Sequence, residues 1–240
     1  PSSSSWIEAP ARHAGGSCVT LFRYNRRLPL GAPLTLFVDS LFLSPYAMSA
    51  YVALTEKQLP FEVRMIDLDA GEQRMQPYQC RALTARVPAL THGDFNLTES
   101  SVIAEYLDEA FPAPAHAALY PRDIRSRARA RQLQAWLRSD LAALRQERPT
   151  EAVFYGDAGQ PLSDAGHAAA AKLIHVAGAL IGAGQTRLFE AWSIADLDLA
   201  VALRRLWQDG LPDPLRDYVE SQWQRPSIRQ WREHNAAARA

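Results

Sequence analysis

The stretch LTLFVDSLFLSPYAMSAYVAL, residues 34–54, decides the fold of this 240-residue chain. Its first six residues, Leu34 to Asp39, form a short apolar and β-branched run, which predicts a strand. Ser44 followed by Pro45 is typical of a helix start, with serine as the N-cap and proline as the first helical residue. Apolar residues at helical spacing follow, so the stretch predicts a strand and then a helix.

The sequence that follows this stretch predicts the remaining elements of a small α/β domain. Four further segments carry strand or helix patterns: Phe61–Ile66, Pro88–Leu90, Phe95–Leu97 and Glu99–Ala110. The first of them should run parallel to the initial strand, because a crossover helix separates the two. The middle two are joined by His92, Gly93 and Asp94, which predicts an antiparallel hairpin. The order βαβ followed by ββα is that of a thioredoxin-like domain.

The composition changes beyond Phe111. A Pro/Ala linker covers residues 112–122, and all later patterns are helical: Asp123–Arg145, Ser163–Ile181, Ile194–Trp207 and the segments that carry Tyr218, Trp223, Ile228 and Trp231. The predicted fold is therefore a thioredoxin-like α/β N-terminal domain, residues 34–111, followed by an all-α helical C-terminal domain, residues 123–240. Residues 1–33, with a serine run and a basic stretch, are expected to be a disordered extension.

Charge and cysteine content narrow the class of protein. The 26 basic and 26 acidic residues balance, so no global field favours nucleic acid or an anionic membrane. The two cysteines, Cys18 and Cys80, have no metal-ligand spacing, and such sparse usage suits a reducing compartment. No apolar run reaches the roughly 20 residues of a membrane span. We expect a cytoplasmic protein that binds no metal, nucleic acid or membrane.

Ser44 is the first candidate for chemistry. It lies after the first strand, at the carboxyl edge of the predicted sheet, where ligands usually bind. A thiolate placed there would be stabilised by the helix dipole, by free amide groups and by the Ser44 hydroxyl. The simpler interpretation of the same residue is that Ser44 is only an N-cap.

Two further candidates lie at the same predicted edge. The Val87-Pro88 bond would expose the Val87 backbone to a bound peptide if it were cis, whereas a trans bond is the common case. Glu99, Ser100 and Ser101 open a helix after the fourth strand. They suit either a helix cap or a receptor for an ammonium and a carboxylate on one ligand.

Together, in this order on this frame, these residues resemble the glutathione transferase family from Leu34 to the C-terminus. Within that family the chain resembles the bacterial YfcF-type members, and five strings carry the resemblance: Ser44-Pro45-Tyr46, Ile66 to Glu72, Arg86-Val87-Pro88, Glu99-Ser100-Ser101 and Ala128 to Asp140. The resemblance implies a serine-type enzyme in which Ser44 activates the thiol. It also implies a cis bond before Pro88 and a structural capping box from Ser193 to Asp196.

The family resemblance implies reduced glutathione as co-substrate, no metal, and conjugation of the thiol to a small hydrophobic electrophile or attack on a peroxide. Peroxidase or disulfide reductase activity, roles in detoxification and oxidative stress, and a homodimer are further expectations. Residues expected around the electrophile or at the cleft and dimer interface are Leu41, Phe42, Tyr46, Arg86, Arg129, Arg138 and Asp140. Two alternatives remain open: a non-catalytic binding module, and a glutathione-dependent isomerase of a small unsaturated acid.

Overall fold

A computed structural model of the protein describes residues 31–76, 78–157 and 159–239. Four strands form one sheet in the order β2-β1-β3-β4. Their bounds are Leu34–Asp39 (β1), Phe61–Ile66 (β2), Ala89–His92 (β3) and Phe95–Thr98 (β4). The first two strands have exactly the predicted limits. The hairpin differs from its predicted limits: β3 begins one residue later and ends two residues later, and β4 ends one residue later. His92 is paired within β3, because Gly93 and Asp94 alone make the turn.

The register of the sheet brings several chain ends to one edge. β1 runs parallel to β2, and Asp39 pairs with Ile66, so the carboxyl ends of both strands coincide. β3 is antiparallel to β1 and begins where β1 ends, with Ala89 opposite Phe37. Ala89 also pairs with Thr98 at the end of β4. The loops that follow β1, β2 and β4 and the segment that precedes β3 therefore meet at this edge.

The helices in the described part of the chain are α1 (Pro45–Glu56), α2 (Ser100–Ala110), α3 (Ile124–Ser139), α4 (Ala142–Glu147), α5 (Thr150–Phe154), α6 (Asp164–Leu180), α7 (Ile194–Arg204), α8 (Asp213–Trp223) and α9 (Pro226–Arg239). The prediction of one helix over Asp123–Arg145 is wrong. The helix breaks after Ser139, because the Leu141 backbone leaves the helical region at φ −84° and ψ 39°. The predicted helix that starts at Ile194 ends at Arg204, three residues early.

The α/β part and the helical part share one hydrophobic core. Its buried members include Leu36 and Leu54 from the α/β part and Leu199 and Trp231 from the helical part. Charged side chains reinforce the contact, since the Arg225 guanidinium donates to both carboxylate oxygens of Glu56 at 2.7 and 2.6 Å. Burial of apolar surface across the interface is the main stabilising contribution here.

The start of α7 confirms the capping box. The Asp196 carboxylate accepts the Ser193 amide hydrogen at 2.8 Å, and the Ser193 side chain accepts in turn from the backbone of Asp196. Asp196 also accepts from the Leu188 amide and the Tyr218 hydroxyl, at 2.7 and 3.0 Å. Burial raises the pKa of this carboxyl group, and these hydrogen bonds partly offset the rise. The box is thus a buried structural network at the centre of the helical part.

Two further expectations concern the N-terminal segment and membrane-spanning helices. Except for Gly31 to Pro33, the predicted extension at residues 1–33 lies outside the described residues. None of the helices placed in the described segments combines the length and apolar character needed to cross a membrane.

Candidate active site

The loop between β1 and α1 is organised by Asp39. This buried residue ends β1, and its carboxylate accepts the amide hydrogens of Ser44 at 2.9 Å and Leu43 at 2.5 Å. A carboxylate that bonds two backbone amides fixes the course of the loop. Asp39 therefore determines where Ser44 stands. Sequence reasoning missed this role, although an aspartate at the end of a strand just before a helix cap was a usable signal.

Ser44 is both a helix cap and a residue of a cleft. Its hydroxyl oxygen accepts the Ala47 amide hydrogen at 3.2 Å, and the residue is half-buried. The cap bond uses a lone pair of the hydroxyl and leaves its proton available for donation. The N-cap interpretation and the thiol-activating interpretation of Ser44 are thus compatible. A ligand beside this hydroxyl would also lie at the positive end of α1.

The cleft next to Ser44 has a volume of about 460 Å³. Most of its lining comes from the carboxyl edge of the sheet and its loops, and the helical part contributes Thr150, Glu151 and Arg205. Among the residues expected around an electrophile, Leu41 and Tyr46 line the cleft. The remaining lining residues come from the α/β part: Asp39, Ser40, Leu43, Ser44, Pro45, Leu68, Asp69, Gln73, Ala85, Arg86 and Val87.

Phe42 lies elsewhere, in the interface between the two parts of the chain. Its ring stacks on His234 at 5.1 Å between centroids and meets Trp231 edge-on at 4.9 Å. It is buried and is not among the cleft-lining side chains of the described residues. The physical reason is its backbone, since φ of 51° turns Phe42 away from the direction of its neighbours.

The Val87-Pro88 peptide bond is cis, as the resemblance implied. Val87 lines the cleft, and the pairing of β3 begins two residues later at Ala89, so the sheet ladder does not include Val87. Arg86 is exposed at the rim of the cleft, and its carbonyl oxygen accepts a hydrogen bond from the Tyr78 hydroxyl at 2.7 Å.

Glu99, Ser100 and Ser101 lie at the same sheet edge but outside the lining of the cleft. Glu99 is exposed and has a φ of 70°, a conformation that is costly for a residue with a side chain. Ser100 is buried, and its hydroxyl oxygen accepts a hydrogen bond from Arg138 at 2.9 Å. The first amides of α2, including those of Ser100 and Ser101, belong to the turn that lacks intrahelical acceptors.

Arg138 connects the N-terminus of α2 with the helical part. The nitrogen that donates to Ser100 also bonds the Asp198 carboxylate at 3.0 Å, and the guanidinium lies 5.4 Å from the Tyr46 ring centroid. Burial disfavours the charge of Arg138, but Asp198 outweighs burial and raises the pKa of the guanidinium. Arg138 thus bonds to groups from both parts of this chain.

Asp140 and Arg129, two other candidates, do not reach the cleft. The Asp140 carboxylate is exposed, accepts from the Trp136 indole at 2.7 Å and pairs with Lys172 at 2.5 Å. These contacts lower its pKa, with the hydrogen bond from Lys172 as the largest cause. Arg129 is exposed and donates to Gln132 on its own helix at 2.8 Å.

Arg205 is another cleft residue that sequence reasoning missed. It follows α7 directly, is only 7% exposed, and lines the cleft near Tyr46. Its guanidinium donates to the Arg148 carbonyl oxygen. Desolvation by burial lowers the pKa of Arg205 to about 10, Tyr46 opposes that shift, and the like charge of Arg145 adds to it. An arginine between Leu203 and Leu206, within a predicted apolar helix, was the signal for a special role.

The fold and this cleft define a class of proteins with two parts, in which the sheet edge of a thioredoxin-like unit borders an attached helical unit. Comparison with known families agrees. The models described as "Glutathione S-transferase, N-terminal domain" and "Glutathione S-transferase, C-terminal domain" match residues 41–115 and 123–237. A glutathione transferase homologue from Burkholderia (BGR1), solved with bound glutathione, is 43% identical with a TM-score of 0.71, covering 86% of this chain and 99% of that chain. The chain belongs to the glutathione S-transferase family.

Other relatives match less completely. Human glutathione S-transferase theta-1 is 34% identical over 108 residues, which is 45% of this chain and 43% of the relative. The chain thus spans less than half the length of the curated relatives it matches. A bacterial maleyl pyruvate isomerase of the zeta class is 20% identical with a TM-score of 0.63, covering 82% of this chain and 95% of that chain. That likeness shows the fold alone.

Proposed function

We propose that this protein is a glutathione transferase, in which reduced glutathione is the co-substrate and Ser44 activates its thiol for attack on an electrophilic carbon or a peroxide oxygen. The observation that carries the proposal is the Ser44 hydroxyl, which lines a cleft of about 460 Å³ at the start of α1. The relative from Burkholderia, which was solved with glutathione, supports the choice of co-substrate.

The chemistry required of Ser44 is modest. A free thiol titrates near pH 8.5, and lowering its pKa by about two units takes roughly 2.7 kcal/mol. A hydrogen bond from the Ser44 hydroxyl to a thiolate contributes about 1.5–3 kcal/mol, and the dipole of α1 about 0.3–1 kcal/mol more. Together these contributions reach the required amount. Catalysis is then activation of the nucleophile plus proximity of the two substrates.

The two ends of the peptide have separate candidate partners. Val87 lies outside the sheet ladder at the edge of the cleft, which suits its backbone to pair with an extended ligand. The Ser100 and Ser101 amides and hydroxyls suit the γ-glutamyl carboxylate, and the exposed Glu99 carboxylate suits its ammonium group. The costly backbone conformation of Glu99 supports a role in binding, because such strain is concentrated at functional sites.

The finer expectations are part of the same proposal. We assign the glutathione-binding domain to residues 34–111, the linker to 112–122 and the helical domain to 123–240, in a cytoplasmic homodimer. A role in detoxification or oxidative stress follows from the reaction class. Peroxidase and disulfide reductase activities use the same thiolate. The isomerase alternative gains no support from the maleyl pyruvate isomerase likeness, which is a likeness of fold.

The test combines calorimetric titration of the protein with reduced glutathione and ultraviolet absorbance of the bound thiolate across pH. We expect saturable binding and a thiolate pKa near 6.5, about two units below that of the free thiol. Ser44→Ala should raise this pKa by about one to two units and lower kcat/KM near pH 6.5 about 10- to 100-fold, with a smaller effect on the dissociation constant.

Ser163→Ala is the matched control. Ser163 caps α6 through the same bond, accepting the Gly166 amide hydrogen at 3.2 Å, but it does not line the cleft. Both substitutions remove a cap worth about 0.5–2 kcal/mol, so both should lower stability, and only Ser44→Ala should shift the thiolate pKa. Absence of binding at millimolar glutathione would reject the transferase proposal in favour of a non-catalytic module.

A further inference from the structure

A buried arginine without a carboxylate partner borders the cleft that Ser44 also lines. Arg205 is 7% exposed, and its one hydrogen bond among the described residues goes to the Arg148 carbonyl oxygen. None of the ion pairs within the described part of the chain involves Arg205. A guanidinium has five N–H donors in a planar fork, so donors remain for a ligand in the cleft.

Two other arginines of this region, one buried and one half-buried, are paired with carboxylates within the protein. Arg148 is 2% exposed and bonds both carboxylate oxygens of Asp209, at 2.8 and 2.5 Å. Arg138 pairs with Asp198 at 3.0 Å. Burial of a charge is costly unless the charge is paired, and these two residues follow that rule. Arg205 departs from the rule at the one place in this group where the side chain borders the large cleft.

We infer that Arg205 is a subsite for a carboxylate or similar planar oxyanion on the second substrate, so that this protein prefers anionic electrophiles. The inference rests on the proposed function and specifies the substrate class of the same cleft. Planar oxyanions match the fork of a guanidinium, and such charge-assisted pairs strengthen when water is excluded.

The position of Arg205 favours the electrophile over glutathione as the source of the anion. Arg205 comes from the helical part and borders the cleft together with Tyr46, Thr150 and Glu151. The residues proposed for the carboxylate of the γ-glutamyl end belong to the N-terminus of α2, outside this lining. A group bound to Arg205 therefore lies where the helical part borders the cleft, beside Tyr46, and not at the N-terminus of α2.

The charges that face Arg205 set the strength of the preference. Glu151 lines the same cleft and attracts the guanidinium, while Arg145 repels it. Glu151 binds the Thr150 hydroxyl at 3.1 Å and makes no ion pair with Arg205 among the described contacts. The carboxylate of a substrate would thus compete with a weak, longer-range attraction instead of displacing an ion-pair partner.

The experiment compares one electrophile with and without a negative charge. The pair is trans-3-benzoylacrylic acid and its methyl ester, whose reaction with the thiolate is an addition. A sulfur–carbon bond forms, the carbon–carbon π bond breaks, and its electron pair takes up a proton at the adjacent carbon, without a leaving group. Each enzymatic kcat/KM is divided by the uncatalysed rate constant with glutathione, which removes the intrinsic difference in reactivity.

The wild-type protein should favour the acid about 10- to 100-fold in this corrected ratio. Arg205→Gln should abolish that preference by lowering kcat/KM for the acid about 10- to 100-fold while leaving the ester within about threefold. Arg205→Lys should retain part of it, because lysine keeps the charge but not the fork. Glu151→Gln should raise the preference about threefold, because it removes a competing negative charge.

Arg64→Gln serves as the control arginine. Arg64 lies on the exposed face of β2, pairs only with Glu62 at 3.0 Å among the described residues, and does not line the cleft. This substitution should leave the acid-to-ester ratio unchanged. The dissociation constant for glutathione is measured for every variant by calorimetry. An equal loss of glutathione affinity in Arg205→Gln would show that Arg205 binds a carboxylate of glutathione and would overturn the inference.

The outcomes also separate this inference from the transferase proposal. A wild-type protein that binds glutathione and conjugates both electrophiles without preference refutes the anion subsite and leaves the transferase proposal intact. A protein that conjugates neither, and does not bind glutathione, refutes the transferase proposal itself. If Arg205→Gln does not fold, competitive inhibition of the wild-type protein by 4-phenylbutyrate and by its amide decides: equal inhibition constants contradict the subsite.

Discussion

At the scale of single residues, the site depends on side chains that hold other site residues in place. Asp39 holds the loop before Ser44, and Arg138 donates to the Ser100 hydroxyl while it pairs with Asp198. Arg138 belongs to the helical part and Ser100 to the α/β part, so the two parts jointly define the proposed binding site for the γ-glutamyl carboxylate. We regard Arg138 as a positioning residue for the N-terminus of α2.

This role leads to a prediction for Arg138. Removing Arg138 alone would leave Asp198 buried without its cation, which costs about 3–5 kcal/mol in stability and would obscure the result. The double variant Arg138→Gln with Asp198→Asn avoids this cost, because it removes both charges of the pair, and the wild-type protein is the reference. Compared with the reference, we expect the double variant to bind glutathione about tenfold more weakly, the effect of one lost charge-assisted hydrogen bond.

The prediction for Arg138 also requires turnover at saturating glutathione to change by less than about threefold, because the residue does not touch the sulfur. Calorimetry and steady-state kinetics measure the two quantities. Arg131→Gln is the control on the same helix, since Arg131 pairs with Glu105 and Glu109 at the surface and should have little effect. A fall in kcat with unchanged glutathione affinity would contradict the positioning role.

The residues of the site differ in how far the sequence could reveal them. The positions of Ser44 and Val87 at the sheet edge were predictable, because a serine before proline and an X-Pro bond before a strand are local signals. Asp39 and Arg205 act through contacts with backbone atoms and with a cleft that form only in the folded chain. Phe42 illustrates the same limit, because its direction depends on a backbone angle that the sequence does not encode locally.

At the scale of elements, the last helix supports the loop that carries the chemistry. The Asn235 side chain on α9 donates to the Leu41 carbonyl oxygen at 2.8 Å. His234 and Trp231, on the same helix, pack against the Phe42 ring. Asn235, which lies 194 positions beyond Leu41, thus connects α9 to the loop just before Ser44. These contacts from α9 hold the loop in place.

We predict that Asn235→Ala lowers kcat/KM about fivefold, the equivalent of about 1 kcal/mol for one neutral hydrogen bond. The effect should come with a raised thiolate pKa of bound glutathione, because the loop that presents Ser44 loses a fixed point. Arg229→Ala, on the exposed face of α9, is the matched control and should leave both quantities unchanged. If both variants lose activity in proportion to a fall in thermal stability, α9 is only a structural support.

The elements themselves were predicted unevenly, for a physical reason. The limits of β1 and β2 were predicted correctly, because an apolar β-branched run and an alternation of apolar and polar residues are each encoded within a few residues. The break between α3 and α4 was missed, because helical spacing continues through Leu141 while tertiary contacts interrupt it. Asp140 is bound by Trp136 and Lys172 at this point, and Lys172 belongs to α6. Contacts between distant helices cannot be inferred from local spacing.

At the scale of the whole molecule, core packing joins the two parts, and a buried lysine holds the linker between them. Lys57 is fully buried, donates to the carbonyl oxygens of Phe111 and Ala117 at 2.9 Å each, and pairs with Asp108 at 3.0 Å. It therefore fixes the start of the linker to the end of α1. The apolar cluster continues from the sheet through α1 to α9 without a polar boundary. Such an interface favours unfolding as one cooperative unit.

We predict a single transition in urea, identical by two probes that report on different parts of the chain. Trp136, Trp192, Trp207, Trp223 and Trp231 all lie in the helical part, so tryptophan fluorescence follows that part once Trp6 is replaced by phenylalanine. Hydrogen exchange of the amides of Leu36 and Val38, both fully buried in β1, follows the sheet. Both probes should give the same free energy of unfolding, because loss of either part exposes the shared core. Two separate transitions would show that the domains are stable independently, and the cleft between them would then depend on a weaker contact than the packing indicates.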